Sequence, residues 1–394
     1  MMVTITLKPG KEQSLLRFHP WIFSGAIAKT SGKPEEGEVV EVHDALGSFL
    51  ALGHYQIGSI MVRILSFESI KIDQDFYTKR IAEAYTMRKS IGLAGSATTN
   101  AYRLIHGEGD YLPGLVIDMY NGVAVVQMHS VGMYRDREFI YKALIDVIGA
   151  DLKAIYNKSE DTLPFKAGIE MQNAYVYGHR PDDMTAMENG LKFMPDWEHG
   201  QKTGFFVDQR ENRALIERYS KGRNVLNMFC YTGGFSIYAM RGGATKVHSV
   251  DSSERAIELT IGNVELNFPG DTRHQATAED AFKFMERTEG EFDLMILDPP
   301  AFAKHYNVLN NALKGYRRLN TKAFEMIKPG GILFTFSCSQ VVSKEVFRTM
   351  VFSSAAKARR RVSILHQLTQ PADHPVNIYH PEGEYLKGLV LQVW

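Results

Sequence analysis

The chain has 394 residues, which is more than one ordinary domain needs and predicts two or three domains, each able to bury its own core. Hydrophobic residues make up 44% and charged residues 23%, a balance typical of a soluble globular protein. Lys plus Arg equals Asp plus Glu at 45 each, so the chain as a whole lacks the basic excess that announces a nucleic-acid binder.

The chain lacks the sequence signals of a membrane or secreted protein. No run approaches the roughly 18 apolar residues of a membrane span, and the opening MMVTITLKPGK has no signal-peptide apolar core. The two cysteines, Cys230 and Cys338, cannot form a disulfide framework, which fits a reducing compartment. We therefore expect a cytoplasmic protein with no membrane partner, and each thiol needs its own explanation.

The first part of the chain predicts two small domains. Residues 1–70 alternate short apolar segments, such as VTITLK and IMVRILSF, with Gly and Pro turns, which indicates an all-β domain. The segment FYTKRIAEAYTMRKSIGL then has helical periodicity and a polar loop follows it. Next come strands LVIDMY and VAVVQMHS, helix REFIYKALIDVIG, and strands near LKAIYNK and IEMQNAYVYG. Residues 71–185 are therefore predicted to form a small α+β domain.

The pattern changes after Gly190 to apolar runs of about six residues that alternate with helical stretches, which is typical of a parallel sheet covered by helices. The predicted strands are RNVLNMF, KVHSVD, TRHQAT, FDLMILD, GILFTFS and SILHQL. A last segment, YLKGLVLQVW, is predicted as an antiparallel edge strand. Residues 186–394 should thus form an α/β, Rossmann-like domain that carries the catalytic unit.

A nucleotide-type site is predicted at the first two strand ends of this domain. The turn after RNVLNMF contains Gly233 and Gly234, so backbone can approach a ligand closely there, although a plain tight turn explains the glycines as well. Asp251 ends the second strand, where an acid can accept hydrogen bonds from both ribose hydroxyls. Asp280 follows the third strand and either accepts from an adenine amino group or caps a helix.

The fourth strand ends in Asp298-Pro299-Pro300-Ala301-Phe302. Two prolines impose an extended exit where ligands bind in open α/β sheets. This D-P-P-aromatic loop is similar to the substrate-facing loop of class I methyltransferases, whose glycine turn and second-strand acid also match. The cofactor implied by that resemblance is S-adenosylmethionine rather than NAD.

The fifth strand delivers Cys338 beside this loop. Cytosine carbon 5 is too weak a nucleophile to take a methyl group directly, but a thiolate that adds at carbon 6 creates an enamine that attacks from carbon 5. Asp298 would contact the N3/N4 edge of the cytosine; its alternative is a purine edge in N-methylation. A buried inert thiol is the alternative for Cys338, and Cys230 is interpreted as structural or cofactor-lining.

Eight segments spread over the whole chain resemble the RlmI-like family of 23S ribosomal RNA cytosine-C5 methyltransferases. They are RFHPWIFSGAI, YRLIHGEGDYLPGLVIDMY, HGQKTGFFVDQRENR, NMFCYTGGFS, DPPAF, FTFSCS, ADHPV and PEGEYLKG. The resemblance implies a PUA-like RNA-binding domain over residues 1–70, the central domain, and a class I methyltransferase domain. It implies ribosomal RNA as the partner, S-adenosylmethionine as the cofactor and no metal. A homodimer is one of the assembly states left open.

The resemblance also implies roles for individual residues. Cys338 would be the nucleophile, with Asp298 as the other catalytic residue. Gln209 and Arg210 would close over the cofactor. The base that completes elimination is unassigned, because the D-P-P-A-F loop holds no second thiol. The remaining residues placed in or near the cofactor pocket are Asn227, Tyr231, Thr232, Gly233, Asp251, Ser252, Asp280 and Asp298.

RNA docking on the PUA-like domain would need a local patch, because residues 1–70 hold six Lys or Arg against seven Asp or Glu. Lys8, Lys11 and Arg17 are candidates for that patch. The aromatic pair of the HPWIF segment, Trp21 and Phe23, would either stack on a base or belong to the core.

Three rival functions remain. An NAD-dependent oxidoreductase would explain the sheet and Asp251 but neither the D-P-P loop nor the cysteine. A non-enzymatic RNA-binding protein with a decayed domain is a second rival. The third is an RNA N-methyltransferase acting on a purine, which Cys338 argues against.

Overall fold

The computed structural model describes residues 2–164, 168–169, 171–288, 292–303, 305 and 308–394. The chain forms two compact units. Unit one comprises Met1–Gly190, Pro195–Val207 and Ala372–Gly383. Unit two comprises Leu191–Met194, Asp208–Pro371 and Glu384–Trp394. The division of the chain into three domains stays a prediction.

The first sheet of unit one has six strands and carries the predicted all-β pattern. The alternation of its side chains is clear in the fourth strand. Val40 and Val42 are buried there, and the residues that alternate with them along the strand are half-buried. Its elements are β1 (Thr4–Leu7), α1 (Gln13–Leu16), β2 (Trp21–Phe23), β3 (Ile27–Thr30), β4 (Val39–His43), β5 (Phe49–Tyr55) and β6 (Ile60–Ser66). The strand order is β2-β6-β5-β4-β1-β3, and β1 and β4 are its parallel pair.

The second sheet of unit one has five strands in the order β11-β10-β9-β8-β7. Its elements are α2 (Gln74–Ser90), β7 (Ala101–His106), β8 (Leu115–Tyr120), β9 (Val123–Met128), α3 (Val131–Arg135), α4 (Arg137–Ile148), β10 (Ala154–Asn157), β11 (Ala174–Tyr177) and a further short strand, β12 (Ala186–Glu188). Helix α2 begins at Asp73, whose side chain accepts hydrogen bonds from the Asp75 and Phe76 amides.

Strand β7 was missing from the sequence-based prediction. Arg103 lies in its middle and interrupts the apolar pattern of the segment. In the structure Arg103 donates two hydrogen bonds of 2.8 Å to the fully buried Asp118 of β8. Arg103 and Asp118 thus form a buried ion pair between neighbouring strands. The sequence pattern shows only a polar residue at this position.

Unit two is the predicted α/β domain, with seven strands in the order β16-β15-β14-β17-β18-β20-β19. Its strands are β13 (Leu191–Phe193), which lies outside this sheet, and β14 (Asn224–Met228), β15 (Lys246–Asp251), β16 (His274–Ala278), β17 (Leu294–Leu297), β18 (Gly331–Ser337), β19 (Val362–Leu368) and β20 (Lys387–Val393). Its helices are α5 (Arg210–Tyr219), α6 (Gly234–Arg241), α7 (Glu254–Asn267), α8 (Ala281–Arg287), α9 (Leu309–Met326) and α10 (Lys344–Lys357). The fold class is confirmed and all six predicted strands form. Five of them pair in parallel, whereas the sixth, β19, pairs antiparallel with β20.

The prediction that YLKGLVLQVW forms the edge of the sheet is wrong. Strand β20 is antiparallel, as predicted, but it lies between β18 and β19. Its side chains are buried on both faces, whereas β19 is largely exposed and forms the edge. Gly388 permits this interior position, because a Cβ there would approach the Phe336 ring of β18 to 2.5 Å.

The core of unit two packs against this sheet, and three residues in register on one face show it. Leu226, Met295 and Leu333 come from its three central strands and are fully buried. Among the described residues, no helix is long and apolar enough to cross a membrane.

Candidate active site

The candidate site lies where the parallel strands of unit two end. Strands β14, β17 and β18 are neighbours, with Leu226 opposite Met295 and Met295 opposite Leu333. Their carboxyl ends therefore present the glycine turn, the D-P-P loop and the cysteine loop at one edge of the sheet.

The glycine turn after β14 is tightly constrained. The Gly233 amide donates to the Cys230 carbonyl oxygen over 2.8 Å, and Gly233 adopts a left-handed φ of +78°. A Cβ at Gly233 would lie 2.6 Å from Cγ2 of Thr260 on helix α7. Tyr231 also has a positive φ, of +47°, and the Thr260 hydroxyl donates to its carbonyl oxygen over 2.8 Å. Both conformation and close packing require glycine at 233.

Asp251 at the end of β15 is fixed by two backbone amides. The Tyr231 amide donates to one carboxylate oxygen over 3.0 Å, and the Ser253 amide donates to the other over 3.0 Å. The carboxylate is thereby held beside the glycine turn, and Ser252 next to it is exposed. Thr232 is buried, and its carbonyl oxygen accepts from the Asn263 side chain over 3.0 Å.

Two further residues of the first strand and its turn are deeply buried. Asn227 donates to the Ser236 hydroxyl over 2.9 Å, while its carboxamide oxygen is buried with no hydrogen-bond partner among the residues that the structure describes. The Cys230 sulfur lies 3.7 Å from the Thr260 hydroxyl oxygen. Burial, and then the Asp251 charge, raises the pKa of the Cys230 thiol to about 12, which agrees with a structural or cofactor-lining thiol rather than a reactive one.

Asp280 caps helix α8. One of its carboxylate oxygens accepts hydrogen bonds from the amides of Phe282 and Lys283, each over 3.1 Å. This is the alternative that the sequence left open, and an additional contact with an adenine amino group stays a prediction.

Gln209 joins the segment before α5 to the D-P-P loop. Its side-chain amide donates to Asp298 over 3.0 Å, and its oxygen accepts from Asn212 over 2.6 Å. Gln209 and Arg210 are both buried, and the Arg210 guanidinium lies 3.3 Å from Glu211. Of the two predicted cofactor-covering residues, Gln209 thus contacts the D-P-P acid directly.

Two acids lie together at this edge. Burial, reinforced by the charge of Asp208, raises the pKa of Asp298 to about 7, and the Gln209 hydrogen bond opposes the rise. Asp208 accepts from the Tyr385 hydroxyl over 2.7 Å, and its other oxygen is buried without a partner within the described part of the chain. The pKa of Asp298 thus lies closer to neutral pH than that of an exposed aspartate.

The cysteine loop after β18 is pinned to the D-P-P loop and to helix α9. The Ser339 hydroxyl donates to the Ala303 carbonyl oxygen over 2.6 Å, and the Ser337 hydroxyl donates to the Tyr316 hydroxyl oxygen over 3.0 Å. Cys338 is the residue between these two serines and is half-buried. These bonds hold the loop that carries the thiol against the loop that carries Asp298.

The electrostatic surroundings of Cys338 are divided. Burial, followed by the charges of Asp298 and Asp208, raises the pKa of its thiol to about 12. Lys387 opposes that rise: it is buried at the start of β20, and its Nζ donates to the Ser339 carbonyl oxygen over 2.5 Å. Burial lowers the pKa of Lys387 to about 8, against the opposing effect of Cys338.

The sequence-based prediction missed Lys387 and Asp208. The largely apolar run that follows Lys387 predicts a buried strand, but only the position of that strand in the sheet brings the lysine to the site. Asp208 precedes the predicted Gln209 and Arg210 directly, so an acid in the same short segment was the available signal.

Comparisons with known proteins agree with this architecture. A family model described as S-adenosylmethionine-dependent methyltransferase matches residues 102–382, and one described as a PUA-like domain matches residues 5–67. "Ribosomal RNA large subunit methyltransferase I" of Tolumonas auensis is 42% identical, and its Escherichia coli counterpart 39%, each over all of both chains.

Solved structures show the same fold. A SAM-dependent methyltransferase from Streptococcus mutans is 23% identical with a TM-score of 0.84, over 100% of both chains. A methyltransferase solved in complex with SAH is 24% identical with a TM-score of 0.85, again over 100% of both chains.

Proposed function

The chain belongs to the S-adenosylmethionine-dependent methyltransferases, in the family of ribosomal RNA large subunit methyltransferase I, and we propose that it methylates carbon 5 of a cytosine in large-subunit ribosomal RNA. The relatives' names support the ribosomal RNA substrate, and the PUA-like domain supports RNA as a partner. A cytoplasmic location and a homodimer stay predictions.

The residues at the strand ends fit S-adenosylmethionine. The Asp251 carboxylate, oriented by two amides, suits the ribose hydroxyls, and the close packing of Gly233 keeps side-chain atoms out of the turn. The carboxamide oxygen of Asn227, which has no partner among the residues described, offers an acceptor to an ammonium group. When bound, the cofactor supplies an electrophilic methyl group.

Cys338 is proposed as the nucleophile. Its thiolate forms a bond to cytosine carbon 6, and the resulting enamine makes carbon 5 nucleophilic. Carbon 5 then takes the methyl group and loses its proton to a base. Elimination finally breaks the bond between sulfur and carbon 6 and restores the thiolate and the aromatic ring.

Asp298 and Lys387 support this addition in different ways. With a pKa of about 7, Asp298 can donate a proton toward N3 of the cytosine, which makes carbon 6 more electrophilic. The Lys387 ammonium favours the Cys338 thiolate, because an opposite charge stabilises the ionised form of a neighbouring group.

The observation that carries the proposal is the hydrogen bond from Ser339 to Ala303, which joins the cysteine loop to the D-P-P loop. A purine N-methyltransferase would use the D-P-P loop alone and has no use for a thiol held beside it. We therefore favour cytosine C5 methylation over the RNA N-methyltransferase alternative.

The test is incubation with labelled S-adenosylmethionine and ribosomal RNA that lacks modifications, followed by nucleoside analysis, for the wild type and Cys338→Ala in parallel. We expect 5-methylcytosine from the wild type and none from the variant, with cofactor affinity unchanged. A methylated purine that persists in Cys338→Ala would establish the alternative function instead.

A further inference from the structure

Unit one contains a groove between its first sheet and helix α2 that the proposed chemistry does not use. It encloses about 310 Å³, a volume at the lower end of small-molecule sites and too small for a nucleic-acid duplex. Its floor is apolar and buried, with Ile64, Leu65 and Phe76. We name it the aromatic groove after the rings at its mouth, which belong to Phe18, Phe67 and Tyr111.

The rings at the mouth are held outward. Phe18 and Tyr111 are each 48% exposed, and Tyr379, whose ring centroid lies 5.2 Å from that of Phe18, is 44% exposed. Phe18 and Tyr111 also adopt left-handed φ angles, of +61° and +57°. Bulky residues rarely take this conformation, and it persists where the surroundings enforce it, often at binding sites.

Two cations lie on the same groove. The Arg80 guanidinium lies between two rings, 5.5 Å from the Phe76 centroid and 5.4 Å from that of Tyr111, and Lys79 precedes it on α2. Stacking on rings leaves the edge of a guanidinium able to donate hydrogen bonds to an anion.

Of the acids at or beside the groove, Glu108 is engaged by a cation and by an indole N–H. Glu108 accepts from Arg63 over 2.9 Å and from the Trp21 indole over 2.8 Å. Glu83, which is not part of the groove, lies 3.3 Å from Arg80 in an exposed pair that contributes little. Glu68 is exposed on the groove and can accept hydrogen bonds from a base edge.

We propose that the aromatic groove binds one unpaired nucleotide of the RNA substrate, with its base stacked on Phe18 or Tyr111 and its phosphate against Arg80 and Lys79. Proteins bind single-stranded RNA by stacking its bases on exposed aromatic rings and placing cations against its phosphates. The inference rests on the proposed function in taking RNA as the substrate, and it adds where unit one contacts that RNA.

This assignment differs from the two candidates that the sequence offered. The Trp21 indole is engaged with Glu108, and Lys8 donates to the Gly25 carbonyl oxygen over 2.9 Å. Trp21 is half-buried and its indole N–H is committed to Glu108 within the fold.

The affinity of the full chain for a fluorescently labelled single-stranded RNA of about ten nucleotides tests the proposal. We expect at least one of Tyr111→Leu and Phe18→Leu to weaken binding about tenfold, and Tyr111→Phe, which keeps the ring, to bind as the wild type does. Tyr177→Leu is the matched control, because Tyr177 is a 39% exposed tyrosine of unit one outside the groove. Unchanged affinity in both leucine variants would overturn the proposal.

Photo-crosslinking uses the wild-type protein, so its result does not depend on whether a substituted protein folds. Wild-type protein crosslinked to 4-thiouridine RNA should yield peptides modified at Phe18, Tyr111 or Tyr379, and crosslinks confined to other peptides would refute the groove. Both experiments measure RNA contact and not methyl transfer. A protein that fails to methylate ribosomal RNA but crosslinks through the groove would therefore contradict the proposed function alone.

Discussion

The Nζ atom of Lys387 lies 2.5 Å from the carbonyl oxygen of Ser339, the residue that follows Cys338. Antiparallel pairing places Lys387 opposite Ser337, the residue that precedes Cys338. The register of β20 against β18 therefore sets the contact between Lys387 and Ser339. One buried lysine thus anchors the cysteine loop and supplies a positive charge beside the thiol.

Replacing Lys387 should raise the pKa of the Cys338 thiol. With Cys230→Ser as the background, we expect Lys387→Met to slow alkylation of Cys338 by iodoacetamide about tenfold or more, because a neighbouring charge shifts a pKa by about one to three units. The difference in alkylation rate should be seen below about pH 8, where Lys387 is charged, and should decrease as the pH rises through that value.

Lys387→Arg is the control for this experiment, because it keeps the charge. Two other charged groups act on Lys387, Lys344 and Glu384, and they pair with each other at 2.6 Å. If Lys387→Met leaves the alkylation profile unchanged but still lowers methyl transfer, the lysine anchors the loop and does not activate the thiol.

Asp298→Asn should move two activities in opposite directions. Removing the carboxylate removes a charge that raises the pKa of Cys338, so alkylation should become faster above about pH 7, where Asp298 is ionised. Methyl transfer should fall about a hundredfold or more, because the proton donor is lost. Asp293→Asn is a suitable control, since Asp293 pairs with Lys328 at 3.5 Å. A parallel fall in both activities would contradict the assigned role.

The site residues at the ends of the parallel strands could be predicted from sequence. Lys387, which reaches the site from the antiparallel strand β20, could not. Asp298 follows an apolar run directly and Gly233 lies in the turn after another, so the rule that ligands bind at the carboxyl ends of parallel strands located them. Lys387 reaches the site through the position of β20 inside the sheet, which the sequence analysis placed at the edge. Its role depends on long-range register, which local patterns do not encode.

The main expected effect of Asp251→Ala is weaker cofactor binding. The carboxylate would lose its contacts with the ribose hydroxyls, and hydrogen bonds to charged groups contribute about 1.5 to 3 kcal/mol, so we expect at least a tenfold loss in affinity by calorimetry. Asp251→Asn keeps an acceptor and should lose less. Cofactor affinity equal to that of the wild type in Asp251→Ala would show that the ribose lies elsewhere.

Gly233→Ala should destabilise unit two and weaken cofactor binding, since the substitution meets two obstacles. An alanine at a φ of +78° is strained by about 1 kcal/mol, and its Cβ would lie 2.6 Å from Cγ2 of Thr260. Gly222→Ala isolates the first obstacle, because Gly222 has a φ of +73° and no atom within 4 Å of the added Cβ.

Chemical denaturation of the two single variants, of Thr260→Ser and of the double variant Gly233→Ala/Thr260→Ser completes the test. Serine at 260 removes Cγ2 and keeps the hydroxyl that bonds to the Tyr231 carbonyl. Gly233→Ala should therefore lose more stability than Gly222→Ala. The double variant should recover part of the difference, because the methyl group is gone while Oγ1 and Cβ of residue 260 would still lie 3.1 and 3.2 Å from the new Cβ. Equal losses in the two alanine variants would mean that the turn relaxes around the new Cβ, and the close packing of Gly233 on α7 would not be what keeps the cofactor turn in shape.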